Sequence, residues 1–203
     1  MRLDVHRFDS DRLDVLKELA NIGLGNAVTS LSQMLEEQKI NMDVPVATVV
    51  PLQEVPEFLG GGDTPVAGIY IQSTGDVRMT ILFVLSMDSA SNLVSTLMPG
   101  VGGKLDEMGL SALLEVGNIL TAAYLNAIAT MTDLLLNSSP PEIALDMAGA
   151  IITAVMAQAH MIDDEILLMR TTLNTVNSQI EGNILILPDY GELEKIFRLL
   201  GIA

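Results

Sequence analysis

The chain has 203 residues, 49% of them hydrophobic, and its 26 acidic and 10 basic side chains give a formal net charge of −16 at pH 7. A chain this apolar is not a disordered acidic segment, and its negative field repels nucleic acid, anionic membranes and free phosphorylated substrates unless a metal or basic partner screens it. The absence of cysteine excludes disulfides, thiolate nucleophiles and cysteine zinc sites, and two histidines are too few for a histidine-rich metal site. We therefore expect no metal or cofactor of its own and no nucleic-acid partner.

The N-terminal residues and the longest apolar stretch predict a cytoplasmic protein without a membrane partner. The opening residues MRLDVHRFDSDRLD alternate in charge and contain no apolar core, unlike a signal peptide. The apolar stretch 116–131 is interrupted by Asn118, Thr121 and Asn126, whereas a membrane helix needs about 20 nearly continuous apolar residues. The pattern favours a buried helix of a soluble protein.

The predicted elements form two halves with the same order of long helix, three strands and short closing helix. In the first half we predict a helix over 11–37, strands over 42–50, 66–72 and 78–85, and a helix over 88–97. In the second half we predict a helix over 106–136, strands over 142–147, 165–173 and 182–187, and a helix over 191–200. The insert after the first strand differs, because 51–59 allows one or two helical turns and 148–160 allows a full helix.

Matching residues indicate that the halves are copies of one unit. At an offset of 97, Leu16, Glu18, Asn21 and Ile22 meet Leu113, Glu115, Asn118 and Ile119, and at an offset of 103 the apolar run 81–84 meets 184–187. These last runs do not alternate, so both faces of each strand are predicted to be buried. We therefore predict an α/β fold: a single domain, 1–203, made of pseudo-two-fold repeats at about 8–100 and 104–203, with one continuous sheet covered by helices on both faces.

Two glycines lie inside the first predicted helix. Gly23 and Gly25 are not preceded by a strand and lack a third glycine, so they do not form a dinucleotide-binding loop. We predict instead that they allow close packing against another element.

A polar stripe recurs at the same spacing on both long helices. It consists of Asp14, Glu18 and Asn21 in the first half and of Ser111, Glu115 and Asn118 in the second. Residues at i, i+4 and i+7 fall within about 60° of one another on a helix. A solvated surface explains one such stripe, but two at the same offset in a duplicated unit indicate a functional site.

The motifs resemble those of the CheC/CheX/FliY family of chemotaxis phosphatases. Asp14-x3-Glu18-x2-Asn21 is followed by Pro45, and Ser111-x3-Glu115-x2-Asn118 is followed, after one residue fewer, by Pro141. The segments ELANIGLGNA and LLEVGNILTAAY are also similar to family sequences. Two intact motifs in one chain resemble the CheC branch of the family, and the two prolines are expected to set the entry to a strand.

The resemblance implies hydrolysis of the aspartyl phosphate of the response regulator CheY. In this interpretation Asn21 and Asn118 position the attacking water, since an amide donates and accepts hydrogen bonds but is no general base. Glu18 and Glu115 would anchor the regulator through its lysine, and the Mg²⁺ would belong to the regulator. Asp14 and Ser111 are either rim contacts or residues that cap the start of their helices.

The resemblance also implies a second partner, the receptor deamidase CheD. The segment 146–159, beginning at Asp146, is the best candidate surface, although its apolar face could equally be core. The alternative function is therefore a non-catalytic adaptor that binds phosphorylated CheY and CheD. In either case we expect a monomer with both motif helices on the same face of one sheet.

Overall fold

The computed structural model describes residues 10–34, 41–100, 102–158, 165–175 and 179–202. The first half contains α1 (Ser10–Met34), β1 (Asn41–Pro51), a 3-10 turn (Leu52–Glu54), α2 (Val55–Phe58), β2 (Pro65–Gly75), β3 (Met79–Ser86) and α3 (Met87–Leu97). The second half contains α4 (Glu107–Thr132), β4 (Leu136–Ser138), β5 (Glu142–Met147), α5 (Ala148–Gln158), β6 (Glu165–Asn174), β7 (Gln179–Pro188) and α6 (Glu192–Leu199). All predicted elements are present in the predicted order, and the predicted helix ends at 37 and 160 lie outside the described residues.

Two local predictions were wrong. Helix α4 ends at Thr132 rather than at 136, because Asp133 adopts a left-handed conformation with φ 56° and the chain turns into β4, a strand that we did not predict. Pro45 lies inside β1, where the pairing register shifts between Asp43 and Val46, and not at the entry to the strand. An edge strand accommodates proline at such an irregularity. Pro141, by contrast, directly precedes β5 as predicted.

The described strands form one antiparallel sheet in the order β1-β6-β7-β3-β2, with β4 and β5 both paired to the outer edge of β2. This order is unchanged when β1, β2 and β3 are exchanged with β5, β6 and β7. The exchange places a pseudo-two-fold axis between the neighbours β3 and β7. This topology is compatible with a duplicated unit, while the duplication itself and the boundaries of the two repeats remain predictions.

Helices cover both faces of the sheet, as predicted. The larger core lies between one face and helices α1, α3, α4 and α6, and it includes Ile81 and Phe83 of β3. The smaller core lies between the other face and helices α2 and α5, and it includes Leu82 and Val84 of the same strand. Because successive side chains of a strand point to opposite faces, the central run Ile81–Leu85 of β3 has to be apolar at every position.

The two long helices pack against each other and the sheet. A Cβ atom on Gly23 of α1 would lie 2.8 Å from the Cα of Tyr124 in α4, so only glycine permits this close approach. Gly117 of α4 likewise lies against Ile69 of β2. By length and composition α4 could cross a membrane, but half of its apolar window is buried inside the protein. The predicted close packing is thus confirmed for Gly23, whereas Gly25 has no neighbour within 4 Å of a Cβ position.

Candidate active site

The first predicted stripe lies on the solvent side of α1. Leu16 and Leu19 are fully buried against the sheet, which turns the opposite side of the helix outward. Asp14, Glu18 and Asn21 are all exposed. The helix therefore presents a carboxylate and an amide, one turn apart, to an approaching partner.

The second stripe has the same placement on α4. Leu113 and Val116 are buried, Ser111 and Glu115 are exposed, and Asn118 is half-buried. The cap of this helix is Asp106, whose carboxylate accepts a hydrogen bond of 3.1 Å from the backbone N–H of Gly109. Ser111 lies in the second turn and does not cap the helix, so a rim contact is the role we retain for it.

Helices α1 and α4 run antiparallel. Gly23 lies beside Tyr124, and Leu31, two turns further along α1, shares a small internal gap with Val116 and Leu120. With Gly23 level with Tyr124, a rise of 1.5 Å per residue places Asn21 and Asn118 about 12 Å apart along the axes.

The same rise places Glu18 and Glu115 about 21 Å apart along the axes. Both helices pack on one face of the sheet, so the two stripes face the same side of the molecule. The structure thus brings each glutamate together with its own asparagine, but separates the two pairs along the axes of the helix pair.

The fold does not use the four side chains of these pairs. In the described part of the chain, no hydrogen bond or ion pair involves the side chains of Glu18, Asn21, Glu115 and Asn118. Nor do the described residues contain a group of three or more acidic or histidine side chains that could hold a metal ion. Such exposed carboxylate–amide pairs can accept bonds from a cation and can hold a water molecule by donating and accepting.

The surroundings of the two pairs differ. Lys17, which is not among the residues that the motif predicts, is half-buried one turn before Asn21. Leu114 is in the equivalent position before Asn118 and packs against the core. Ile22, which entered the sequence prediction only as a repeat anchor, is 39% exposed on α1. One signal in the sequence distinguishes Lys17: it is the only cation inside either motif.

The start of α1 is held by an interaction that has no counterpart described for α4. Arg12 forms a 3.2 Å ion pair with Glu194 of α6, and its guanidinium lies 4.9 Å from the ring centre of Phe197. The side chain of Arg12 is only 11% exposed, which strengthens both interactions relative to the surface. Helix α6 thus fixes the end of α1 that carries the first stripe.

The segment that begins at Asp146 divides between core and surface. The face of α5 that contains Ile151 and Val155 is buried in the smaller core. Of the two alternatives for this apolar face, partner surface or core, the structure therefore shows core. Asp146 itself is exposed on the edge strand β5, between Leu145 at 40% and Met147 at 50% exposure. The apolar surface in this region therefore belongs mainly to β5 and not to the buried face of the helix.

Comparison with known proteins adds three findings. The model of the CheC-like family matches residues 12–49 and 108–145, the two segments that contain the stripes. Over 200 residues the chain is 32% identical to the CheY-P phosphatase CheC of Bacillus subtilis (strain 168), with 95% of each chain covered. Its fold resembles that of Thermotoga maritima FliY, with a TM-score of 0.77 at 17% identity over 96% of this chain and 98% of that one.

A solved complex also contains this fold. In the CheX–CheY–BeF3–Mg²⁺ complex from Borrelia burgdorferi, one chain matches with a TM-score of 0.50 at 15% identity, covering 82% of this chain and 95% of that chain. At this identity the likeness concerns the fold alone. The mixed α/β architecture with a central antiparallel sheet is thus shared with Thermotoga maritima FliY and with one chain of this complex.

Proposed function

This chain belongs to the CheC-like family, and we propose that it hydrolyses the aspartyl phosphate of a CheY response regulator at two sites, one on α1 and one on α4. The observation that carries the proposal is the repeated pair of solvent-accessible side chains, exposed Glu18 and Asn21 on α1 and exposed Glu115 with half-buried Asn118 on α4, which the fold itself does not use. The relative from Bacillus subtilis is named a CheY-P phosphatase, and the CheX complex contains CheY, which supports this choice of partner. We place the protein in the cytoplasm, acting as a monomer.

The asparagines position the attacking water. An acyl phosphate hydrolyses spontaneously, so holding one water in line with the phosphorus is sufficient to accelerate the reaction. The amide of Asn21 or Asn118 accepts a hydrogen bond from the water and donates one to it or to the phosphoryl group. As the water oxygen bonds to phosphorus, the bond between phosphorus and the aspartate oxygen breaks, and the proton that water loses goes to the inorganic phosphate. GTPases use a glutamine amide in the same way.

The glutamates anchor the regulator. Glu18 and Glu115 each lie one helical turn from their asparagine, a rise of about 4.5 Å along the axis. Pairing either carboxylate with the lysine beside the regulator's phosphate fixes the helix so that the amide lies over the phosphorus. The regulator supplies this lysine and its Mg²⁺, which is how a protein of net charge −16 approaches a phosphoryl group.

A turnover assay tests the enzymatic proposal. Regulator labelled from acetyl phosphate is mixed with protein at one-tenth of its concentration, and the remaining aspartyl phosphate is followed over time. We expect every regulator molecule to lose its phosphate faster than in the absence of the protein. Loss at the spontaneous rate would contradict the phosphatase and favour an adaptor.

A binding assay tests the role of the glutamates. We expect regulator activated with beryllofluoride, which mimics the aspartyl phosphate, to bind more tightly than the resting form, and salt to weaken the complex. Glu18→Ala with Glu115→Ala should reduce both binding and turnover. Equal affinity for the two forms of the regulator would argue against a site complementary to the phosphoryl group.

A second candidate function, docking of CheD, rests on the exposed edge strand β5. Its apolar side chains Leu145 and Met147 are 40% and 50% exposed, on either side of Asp146 along the strand. Isolated exposed apolar residues are common, but two on the same face of an edge strand support a docking surface there. This surface is on separate elements from the two motif helices, so an adaptor role is compatible with catalysis.

Substitutions on β5 separate the two functions. Leu145→Ser with Met147→Ser should abolish CheD binding and leave turnover of phosphorylated regulator unchanged. Leu135→Ser provides the control, because Leu135 is 75% exposed in the loop between α4 and β4. Undiminished CheD binding in the β5 variant would exclude this surface without affecting the phosphatase proposal.

A further inference from the structure

The first site contains a cation, Lys17, where the second site has the apolar residue Leu114. The chain has 10 basic residues against 26 acidic ones, and none of the basic ones lies in α4. Lys17 is half-buried on α1, immediately before the exposed Glu18. Partial burial of a positive charge is unfavourable unless a group of opposite charge compensates it, so we ask which anion lies near Lys17.

Helix geometry places Lys17 next to the amide that we assign to the attacking water. Lys17 and Asn21 are at i and i+4, which puts their Cβ atoms about 5–6 Å apart on the helix surface. Asp14 precedes Lys17 by three residues and lies on the same side of the helix. A helical side chain leans toward the N-terminus, so the ammonium group lies on the Asp14 side of the stripe and reaches Asn21 by turning on its flexible four-carbon stem.

The ammonium group has no partner in the part of the chain that the structure describes. None of the ion pairs or hydrogen bonds there involves Lys17, although Asp14 and Glu18 are both close in sequence. The other half-buried cation of this helix, Arg12, forms an ion pair with Glu194 and lies over the ring of Phe197. Lys17 is thus available to an external anion beside the stripe of Asp14, Glu18 and Asn21.

We propose that Lys17 contacts the phosphoryl oxygens of the regulator at the first site and stabilises the charge on them in the transition state, which makes that site the faster of the two. This inference rests on the proposed phosphatase function. Phosphoryl transfer depends largely on positioning and on cations that neutralise the equatorial oxygens. The second site has Leu114 in the equivalent position and lacks this contact.

Single-site variants test the proposal in both directions. In an Asn118→Ala background, which leaves only the first site, Lys17→Met should lower kcat about tenfold with a smaller change in KM, and Lys17→Arg should restore most of it. In an Asn21→Ala background, which leaves only the second site, Leu114→Lys should raise kcat. Arg170→Met is the matched control, because Arg170 is an exposed cation of β6, between Met169 and Thr171, and lies in a groove that is also lined by Phe58 of α2.

Binding provides a readout that a merely structural lysine would not change. Lys17→Met should weaken binding of beryllofluoride-activated regulator in the Asn118→Ala background and leave binding of the resting form unchanged. An unchanged kcat for Lys17→Met would overturn the proposal, as would equal loss of affinity for both forms.

The combined variant Asn21→Ala with Asn118→Ala distinguishes this failure from a failure of the proposed function. If it is inactive while Lys17→Met retains full activity, only the role of Lys17 is wrong. If it retains activity, the site assignment and the role of Lys17 are both overturned.

Discussion

Helices α1 and α4 occupy equivalent places in the fold, yet on their solvent sides they share little beyond a glutamate and an asparagine. Both helices lie on the same face of the sheet, and on both these two side chains are at least partly accessible to solvent. Around them the residues differ: Lys17 of α1 corresponds to Leu114 of α4. The common pair is unused by the fold, whereas Leu114, one of the differing neighbours, packs against the core.

This difference separates the residues that the fold requires from those that it does not require. The sheet and the helix crossing require apolar and small residues on the inner sides of both helices, but they do not require a carboxylate or an amide on the outer sides. A pair that recurs at one spacing on the solvent side is therefore best explained by a partner that both helices bind.

We expect the largest change in the free energy of unfolding when Gly23 of α1 is replaced, and almost no loss when Gly25 of the same helix is replaced. Gly23→Ala places a methyl group 2.8 Å from the Cα of Tyr124, a backbone atom that cannot move independently, so the helices must separate. We expect a loss of about 1–3 kcal/mol in the free energy of unfolding, measured in urea. Gly25→Ala meets no atom within 4 Å and should gain about 0.5–1 kcal/mol from helix propensity alone. Equal effects of the two substitutions would contradict the close helix crossing.

A smaller effect compares how the two helices are fixed at their N-terminal ends. Arg12→Met removes the ion pair to Glu194 and the contact with Phe197, and we expect a loss of about 1–2 kcal/mol in the free energy of unfolding. Asp106→Ala removes the cap of α4 and should cost about 1 kcal/mol. Hydrogen exchange should then rise in the first turns of the affected helix only. Loss of protection in both helices at once would show that their ends are not fixed independently.

The smallest effect appears only at high pH and concerns Tyr124, the residue of α4 that meets Gly23. Burial raises the pKa of Tyr124 well above its ordinary value of 10.0. Above about pH 10 the unfolded chain loses this proton while the folded protein keeps it, so the free energy of unfolding falls as the pH rises. Tyr124→Phe should therefore make stability less dependent on pH above 10, as measured by urea unfolding at several pH values. An unaltered alkaline dependence would show that this phenol is not protected at the crossing.

The sequence was sufficient to predict the elements that depend on periodicity. The continuous apolar run of β3 predicted a strand buried on both faces, and the structure confirms it with Ile81 and Leu82 in different cores. The same reasoning missed β4, because three residues carry no periodic signal and the strand exists only through pairing with the end of β2. It also extended α4 beyond Thr132, since nothing local marked the left-handed turn at Asp133.

The candidate site was predictable in its spacing but not in its surroundings. The positions of Glu18 and Asn21 followed from helical geometry and from the second copy of the motif. The antiparallel crossing that separates the two pairs follows from long-range contacts such as that of Gly23 with Tyr124, which no local pattern encodes. The exposure of Leu145 and Met147 likewise depends on β5 forming an edge of the sheet, which only the topology reveals.

The central claim is that the two asparagines position the water, and the variant Asn21→Ala with Asn118→Ala tests it most directly. Both positions lie on helices, and alanine is a good helix former, so circular dichroism should be unchanged. We expect that this folded variant no longer accelerates the loss of aspartyl phosphate from the regulator, yet binds beryllofluoride-activated regulator nearly as well as the parent protein does. Each single variant should retain part of the activity through the other site. Full phosphatase activity in the folded double variant would contradict the account.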